Sequence, residues 1–255
     1  MDGGVDHDTM FGARTRPAFD IRLDAPTETL IAGFAEYGLA GLTAADYLTE
    51  QLGLEETGHI AVEEFPAITP FEDGTPRHHT RLFSSADLDL TILVGELFVP
   101  PFAAEPFGTA ILEYTTRRDV EEVVVLSGVP IAHGPDEHRT FYIASKDYQR
   151  ARLDVDHELT PMPGGFLDGI NGALMQCGVD SPLRTCVLTT PVHARIPDVD
   201  AALRLLSGLD EVYELDLDTG PLEAFADDVS KHYEELANRL ETQRSERMPE
   251  DRMYM

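Results

Sequence analysis

Residues 29–53 read TLIAGFAEYGLAGLTAADYLTEQLG, and the fold class turns on how this stretch divides. Thr29 to Phe34 is a short apolar run stopped by glycine chemistry, the pattern of a strand buried on both faces. From Leu39 onward the period changes. Leu39, Leu42, Ala45, Leu48 and Leu52 recur at three- and four-residue steps, which predicts a helix over 39–52, and Gly53 supplies its stop. A buried strand, a glycine-bearing turn and an amphipathic helix in that order make the opening half of an α/β unit.

The same alternation continues in both directions. Upstream, Ile21 to Leu23 reads as a short strand, and residues 1–20 lack periodicity and are expected to form an acidic arm. Downstream, strands are predicted over 58–62, 67–71, 88–95, 121–127, 140–145, 183–190 and 212–217. Helices are predicted over 104–118, 166–177, 199–206 and 221–240. The turn Glu72-Asp73-Gly74-Thr75-Pro76 suggests a hairpin between Phe71 and Thr80–Phe83. Strands alternating with helices predict a three-layer α/β/α sandwich around a mostly parallel sheet, occupying residues 21–242. Residues 243–255 are charged, contain Pro249 and fall outside the helical stripe, so they are expected to form a flexible tail.

Composition narrows the function classes. The 255 residues carry 19 Lys and Arg against 47 Asp and Glu, a formal charge of −28. Such a surface repels phosphate backbones and anionic lipid, which argues against nucleic-acid and membrane partners. The acids are scattered rather than run together, the pattern of a halophilic proteome, although an acidic effector with a basic partner is the other reading. No run approaches the ~18 apolar residues of a membrane span. Residues 1–9 lack the basic start and apolar stretch of a signal peptide, which predicts a cytoplasmic protein. Cys177 falls in a predicted helix and Cys186 in a predicted strand, without zinc spacing, so both read as buried thiols.

Candidate chemistry is sparse. The loop containing Gly33, Gly38 and Gly41 joins a strand to a helix, where free N–H groups can cradle a phosphate. Its spacing fits neither the dinucleotide nor the P-loop pattern, and Glu36 within it would repel an anion. The competing reading is that these glycines allow tight turning and close helix–sheet packing. Pro163-Gly164-Gly165 precedes another predicted helix without a basic neighbour. Ser127-Gly128 follows a strand without a nucleophile elbow. His78-His79 and the pair His133 and His138 lack the spacing of helical metal ligands, so neither a metal nor another cofactor is expected.

The ordered series of these motifs resembles the archaeal proteasome assembly chaperone family. It includes Leu30 to Ile60, Glu64-Phe65-Pro66, the Asp73-Gly74 turn, Leu93 to Glu96, Val120 to Ile131 and Pro163-Gly164-Gly165. Glu36 is a departure, standing where the family often has glycine. The resemblance implies an α/β/α fold like that of purine nucleoside phosphorylases without their catalysis, self-association into a homo-oligomer, and binding to proteasome α-subunits. It also gives the last three residues, Met253, Tyr254 and Met255, a meaning. They match the hydrophobic–tyrosine–any-residue ends that enter pockets between neighbouring α-subunits. A free carboxylate can pair with a pocket lysine, and the tyrosine ring offers apolar area with a hydroxyl handle. The expected function is therefore a non-enzymatic assembly chaperone or ATP-independent activator of the proteasome. The alternative is a phosphorylase-like enzyme that binds phosphate or a nucleoside at the 33–41 loop.

Overall fold

The computed structural model describes residues 18–23, 27–63, 68–85, 87–131, 134, 138–153, 157, 159–193 and 196–229. The chain begins with β1 (Phe19–Leu23) and β2 (Thr29–Phe34), then a single 3₁₀ turn at Tyr37–Leu39 that leads into α1 (Ala40–Gln51). β3 (Glu55–Val62), β4 (Phe71–Glu72), β5 (Thr75–Pro76), β6 (Thr80–Ser85) and β7 (Leu90–Gly95) follow. Next come α2 (Pro101–Arg118), β8 (Glu122–Val129), β9 (Phe141–Ala144) and α3 (Lys146–Arg152). The series ends with β10 (Thr160–Pro161), α4 (Gly169–Asp180), β11 (Arg184–Pro191) and α5 (Val199–Tyr213). The described residues up to 215 make one compact unit and those from 216 onward another; within the second, residues 220–229 are helical.

Among the described residues nine strands form one sheet in the order β1-β3-β6-β7-β2-β8-β11-β9-β10. Its centre is parallel, β2 pairing with β7 and β8, and β8 with β11. The flanks are largely antiparallel: β1 pairs so with β3, β3 with β6, β6 with β7 and β9 with β11, while the short edge strand β10 runs parallel to β9. The sheet is thus mixed, with the expected parallel strands at its core. The central strands are buried along their whole length, which is why they read as unbroken apolar runs rather than alternating ones.

Strand parity divides the core into two layers. Leu30, Ala32 and Phe34 of β2 and Val123 and Val125 of β8 pack with Phe107 and Ile111 of α2 and Ile170 and Leu174 of α4. The opposite face of β2 and β8 receives α1, which also packs against α5. Each fully buried aliphatic or aromatic side chain here contributes roughly 1.5–3 kcal/mol relative to exposure. Phe107 anchors one layer through edge-to-face contacts with Phe34 at 5.7 Å and Phe19 at 5.1 Å.

Several local expectations are corrected. Phe71 pairs with Pro76, not with Thr80–Phe83. Asp73 and Gly74 both hold positive φ, 48° and 78°, the two-residue hairpin turn that closes at once. The strand expected over 212–217 is absent. α5 runs on to Tyr213, because Leu205, Leu206 and Leu209 continue a buried helical stripe past Leu206. α4 begins at Gly169 rather than Phe166, whose side chain is fully solvent-exposed and contributes nothing to the helix stripe. α3 was not anticipated. It is a short polar helix started by the Ser145 side chain, which accepts from the Tyr148 N–H at 3.3 Å, a capping signal.

Both cysteines are buried free thiols, as expected. Among the described residues no helix is long and apolar enough to cross a membrane, and no group of three acidic, histidine or cysteine side chains is placed to hold a metal.

Candidate functional site

A cleft of about 530 Å³ opens beyond the carboxyl ends of β2, β8 and β11. That is where open α/β sheets hold ligands, because the connecting loops diverge there. Its polar end comes from three elements. Glu36 follows β2, Ser127 lies on β8 and Asn171 lies in the first turn of α4. Its apolar walls include Ile143, Met162, Leu167 and Val187.

The three polar side chains form a closed triangle. Asn171 Nδ2 donates to Glu36 Oε2 at 2.7 Å and to Ser127 Oγ at 2.9 Å. Ser127 Oγ donates to the same Glu36 oxygen at 3.2 Å. Burial pushes the Glu36 carboxyl above its ordinary value; the amide and hydroxyl donors oppose that shift, and nearby Asp168 adds to it. Asn171 Oδ1 is buried and has no hydrogen-bond partner among the described residues.

A raised carboxyl pKa in the folded state means that folding favours the protonated form. Stability associated with Glu36 is therefore greatest at acid pH and falls as pH rises from the unfolded value through the folded one. Glu36→Gln removes this penalty. The variant is expected to gain in melting temperature over the parent as pH is raised from 4 to 7, read by circular dichroism. A difference that stays constant with pH would show that Glu36 is not penalised by its burial.

The glycines of the loop serve different geometries. Gly33 on β2 and Gly41 on α1 face each other, and a Cβ on Gly33 would sit 2.6 Å from the Ala45 Cβ. Gly38 holds φ +67° against the Val192 side chain, and Leu39 after it is also left-handed at φ 51°. The Asp198 N–H donates to the Gly38 carbonyl at 2.8 Å, tying the turn to the start of α5. Gly38 thus sets the bend that carries Glu36 and Tyr37 to the cleft, while Gly33 and Gly41 lie beneath it in the helix–sheet contact. Met253, Tyr254 and Met255 lie outside the described residues.

Of the histidines, His59 and His78 stack with centroids 3.6 Å apart, and burial together with the His78 neighbour lowers the His59 pKa. Asn171 was not singled out in the sequence. Its signal is a polar side chain on the apolar face of a helix, between Ile170 and Leu174, where a buried amide must find partners.

Comparison with known proteins agrees with this architecture. The Pyrococcus furiosus protein PbaA, described as an archaeal homolog of proteasome-assembly chaperone, superposes with a TM-score of 0.79 at 20% identity, covering 90% of this chain and 95% of that one. PbaB of the same organism, described as an archaeal proteasome activator, gives 0.72 at 18% identity over 87% and 99%. A PAC2 family protein from Streptomyces avermitilis gives 0.61 at 20% identity over 82% and 96%. At these identities the superpositions establish the fold. No curated protein sequence matches the chain. The PAC2 family matches residues 30–237, nearly the whole span over which the sequence motifs were read, and the chain belongs to that family.

Proposed function

We propose that this protein is a non-enzymatic partner of the proteasome, an assembly chaperone or ATP-independent activator, that docks its C-terminal residues into pockets of the α-ring. The observation that carries the reading is membership of the PAC2 family over residues 30–237. The superposition on an archaeal assembly-chaperone homolog and an archaeal activator supports it. The docking element is Met253-Tyr254-Met255, whose apolar side chains, phenol and carboxylate suit a cleft closed by a lysine. One such end binds weakly, so self-association multiplies the effect by raising effective concentration at a ring of identical pockets. Phe98 and Phe102, both more than half exposed beside the start of α2, offer apolar area for that self-association. The charge of −28 enters the proposal as adaptation to a saline cytosol.

The phosphorylase-like alternative is opposed by charge. Glu36 and Asp168 both line the cleft and disfavour a phosphate there. The fold likeness to purine nucleoside phosphorylases stays part of the proposal for the scaffold alone.

The test is binding to purified α-rings by surface-immobilised protein. Tyr254→Ala, or removal of residues 253–255, is expected to weaken binding at least tenfold with an unchanged far-ultraviolet circular dichroism spectrum. Undiminished binding of both variants would sink the docking role. Peptide hydrolysis by the mature core particle separates the two activities: an activator raises it, whereas a chaperone binds free α-subunits without doing so.

A further inference from the structure

We infer that the cleft beside Glu36 binds a small organic cation, a protonated amine, amidine or guanidine on an apolar body, whose N–H groups are received by the Glu36 carboxylate and Asn171 Oδ1. The inference is independent of the proteasome reading and concerns different residues of the chain.

Most of the hydrogen-bonding capacity of the triangle is already used. With Glu36 ionised, the Asn171 amide is fixed in this sense, because turned round its oxygen would face the carboxylate at 2.7 Å, acceptor against acceptor. With the amide so fixed, its Nδ2 serves both Glu36 and Ser127. The Ser127 hydroxyl spends its one proton on Glu36. Every side-chain donor of the triangle is therefore directed inward. What is left over is acceptor capacity: the second oxygen of Glu36, and Asn171 Oδ1, which is unpartnered among the described residues on a side chain only 9% exposed. A buried acceptor without a donor is rare in native proteins and calls for a partner from outside the triangle.

Charge selects the kind of donor. The amino end of α4 would by itself favour an anion. Asp168 occupies the N-cap position of that end without a side-chain capping bond, and its charge disfavours that of the Glu36 carboxylate. Among the described residues two carboxylates and no lysine or arginine line the cleft, so a cation is drawn in and a phosphate or carboxylate is repelled. The walls complete the specification. Ile131, Ile143, Met162, Leu167 and Val187 surround a space large enough for a ring or short alkyl body beyond the charged head.

The test uses benzamidine and phenethylamine as probes, with benzoate and inorganic phosphate as anionic counterparts, titrated into the full chain by calorimetry. Saturable 1:1 binding of at least one cation is expected, with no binding of either anion. Glu36→Gln, and independently Met162→Trp, which enlarges a wall residue that is not part of the triangle, should each weaken that binding at least tenfold. Circular dichroism confirms that both variants are folded, and the second keeps the test decisive if the first perturbs the fold. Three results would each overturn the inference: no saturable binding of either cation, equal binding of an anion, or cation binding untouched by both substitutions. Neither variant alters residues 253–255, so α-ring binding reports separately on the proteasome reading.

Discussion

Glu122→Ala is expected to lower stability by about 3 kcal/mol or more, the largest effect of any single charge removal in the sheet. Glu122 is the first residue of β8 and is 1% exposed. Its carboxylate is surrounded. Arg152 Nε donates to both oxygens at 3.0 Å, an Arg184 terminal nitrogen lies 2.7 Å from one of them, and the Tyr213 hydroxyl donates to the other at 2.9 Å. Tyr148 joins through its hydroxyl, 3.2 Å from that of Tyr213. Burial pushes both phenols well above their ordinary pKa, and the nearby Glu122 carboxylate adds to it, so both stay neutral donors. The network ties α3, β11 and the end of α5 to the amino end of β8.

Removing the carboxylate leaves two arginines facing an emptied, largely dry space. Their side chains remain 37% and 26% exposed, so both can turn partly to water, which places the loss at the lower end of the range for a broken buried pair. For a unit of this size, about 3 kcal/mol corresponds to a fall in melting temperature of roughly 6–12 °C. Urea unfolding followed by circular dichroism measures it. A change within about 0.5 kcal/mol would show that the network contributes no more than surface ion pairs do. Replacing Glu122, Arg152 and Arg184 together by leucine or methionine should recover much of the loss, because the cost lies in the unpaired charges and not in the absence of the pair.

This network also shows where sequence reading stops. Val123 to Leu126 identify β8 by themselves, since four consecutive apolar residues inside turn signals have few alternatives to a buried strand. β2 and α1 were equally legible, because the period changes from strand to helix within ten residues. The antiparallel flanks were not, since strand direction is set by pairing partners that lie far apart in the chain, as β3 with β6 and β11 with β9. Tyr213 was misplaced for a related reason. Val212, Tyr213, Leu215 and Leu217 nearly alternate, but the hydroxyl of Tyr213 has a partner 91 residues away, and that partner holds it at the end of a helix.

The cleft was legible in part. Its loop reads as a strand-to-helix turn, and Glu36 as a residue at odds with an anion. Ser127 reads only as a serine after a strand without a nucleophile elbow, and no local motif marks Asn171 as part of a site. Glu36 meets Ser127 and Asn171 across separations of 91 and 135 residues, which only the finished sheet brings to hydrogen-bond distance. The pattern is general for this fold. Periodicity reports on neighbours along one element, whereas a site at strand ends is assembled from several.

Gly41→Ala is expected to destabilise the domain by more than about 3 kcal/mol, although alanine is intrinsically the better helix former by about 1 kcal/mol. A Cβ at position 41 would overlap the Leu126 carbonyl oxygen of β8 and lie 2.7 Å from its carbon. The obstacle is backbone inside the sheet, which cannot turn aside as a side chain would, so α1 itself must lift. Gly33 lies in the same contact. Its added Cβ would meet the Gly41 carbonyl carbon at 2.7 Å as well as Ala45. Either substitution opens the α1–sheet seam, and once it is open the second Cβ costs less. The double variant Gly33→Ala/Gly41→Ala should therefore lose clearly less stability than the two single losses added together. Gly164→Ala is the control, since a Cβ there meets nothing within 4 Å, and its effect should stay within about 0.5 kcal/mol. Losses that simply add would mean that α1 yields locally at each glycine, and an unchanged Gly41→Ala would mean that the helix does not pack on β8 at this distance. The same displacement would carry the turn at Tyr37–Leu39 away from Asp198, so Glu36 should lose its hold on Ser127 and Asn171, and cation binding in the cleft should fall with stability across the series.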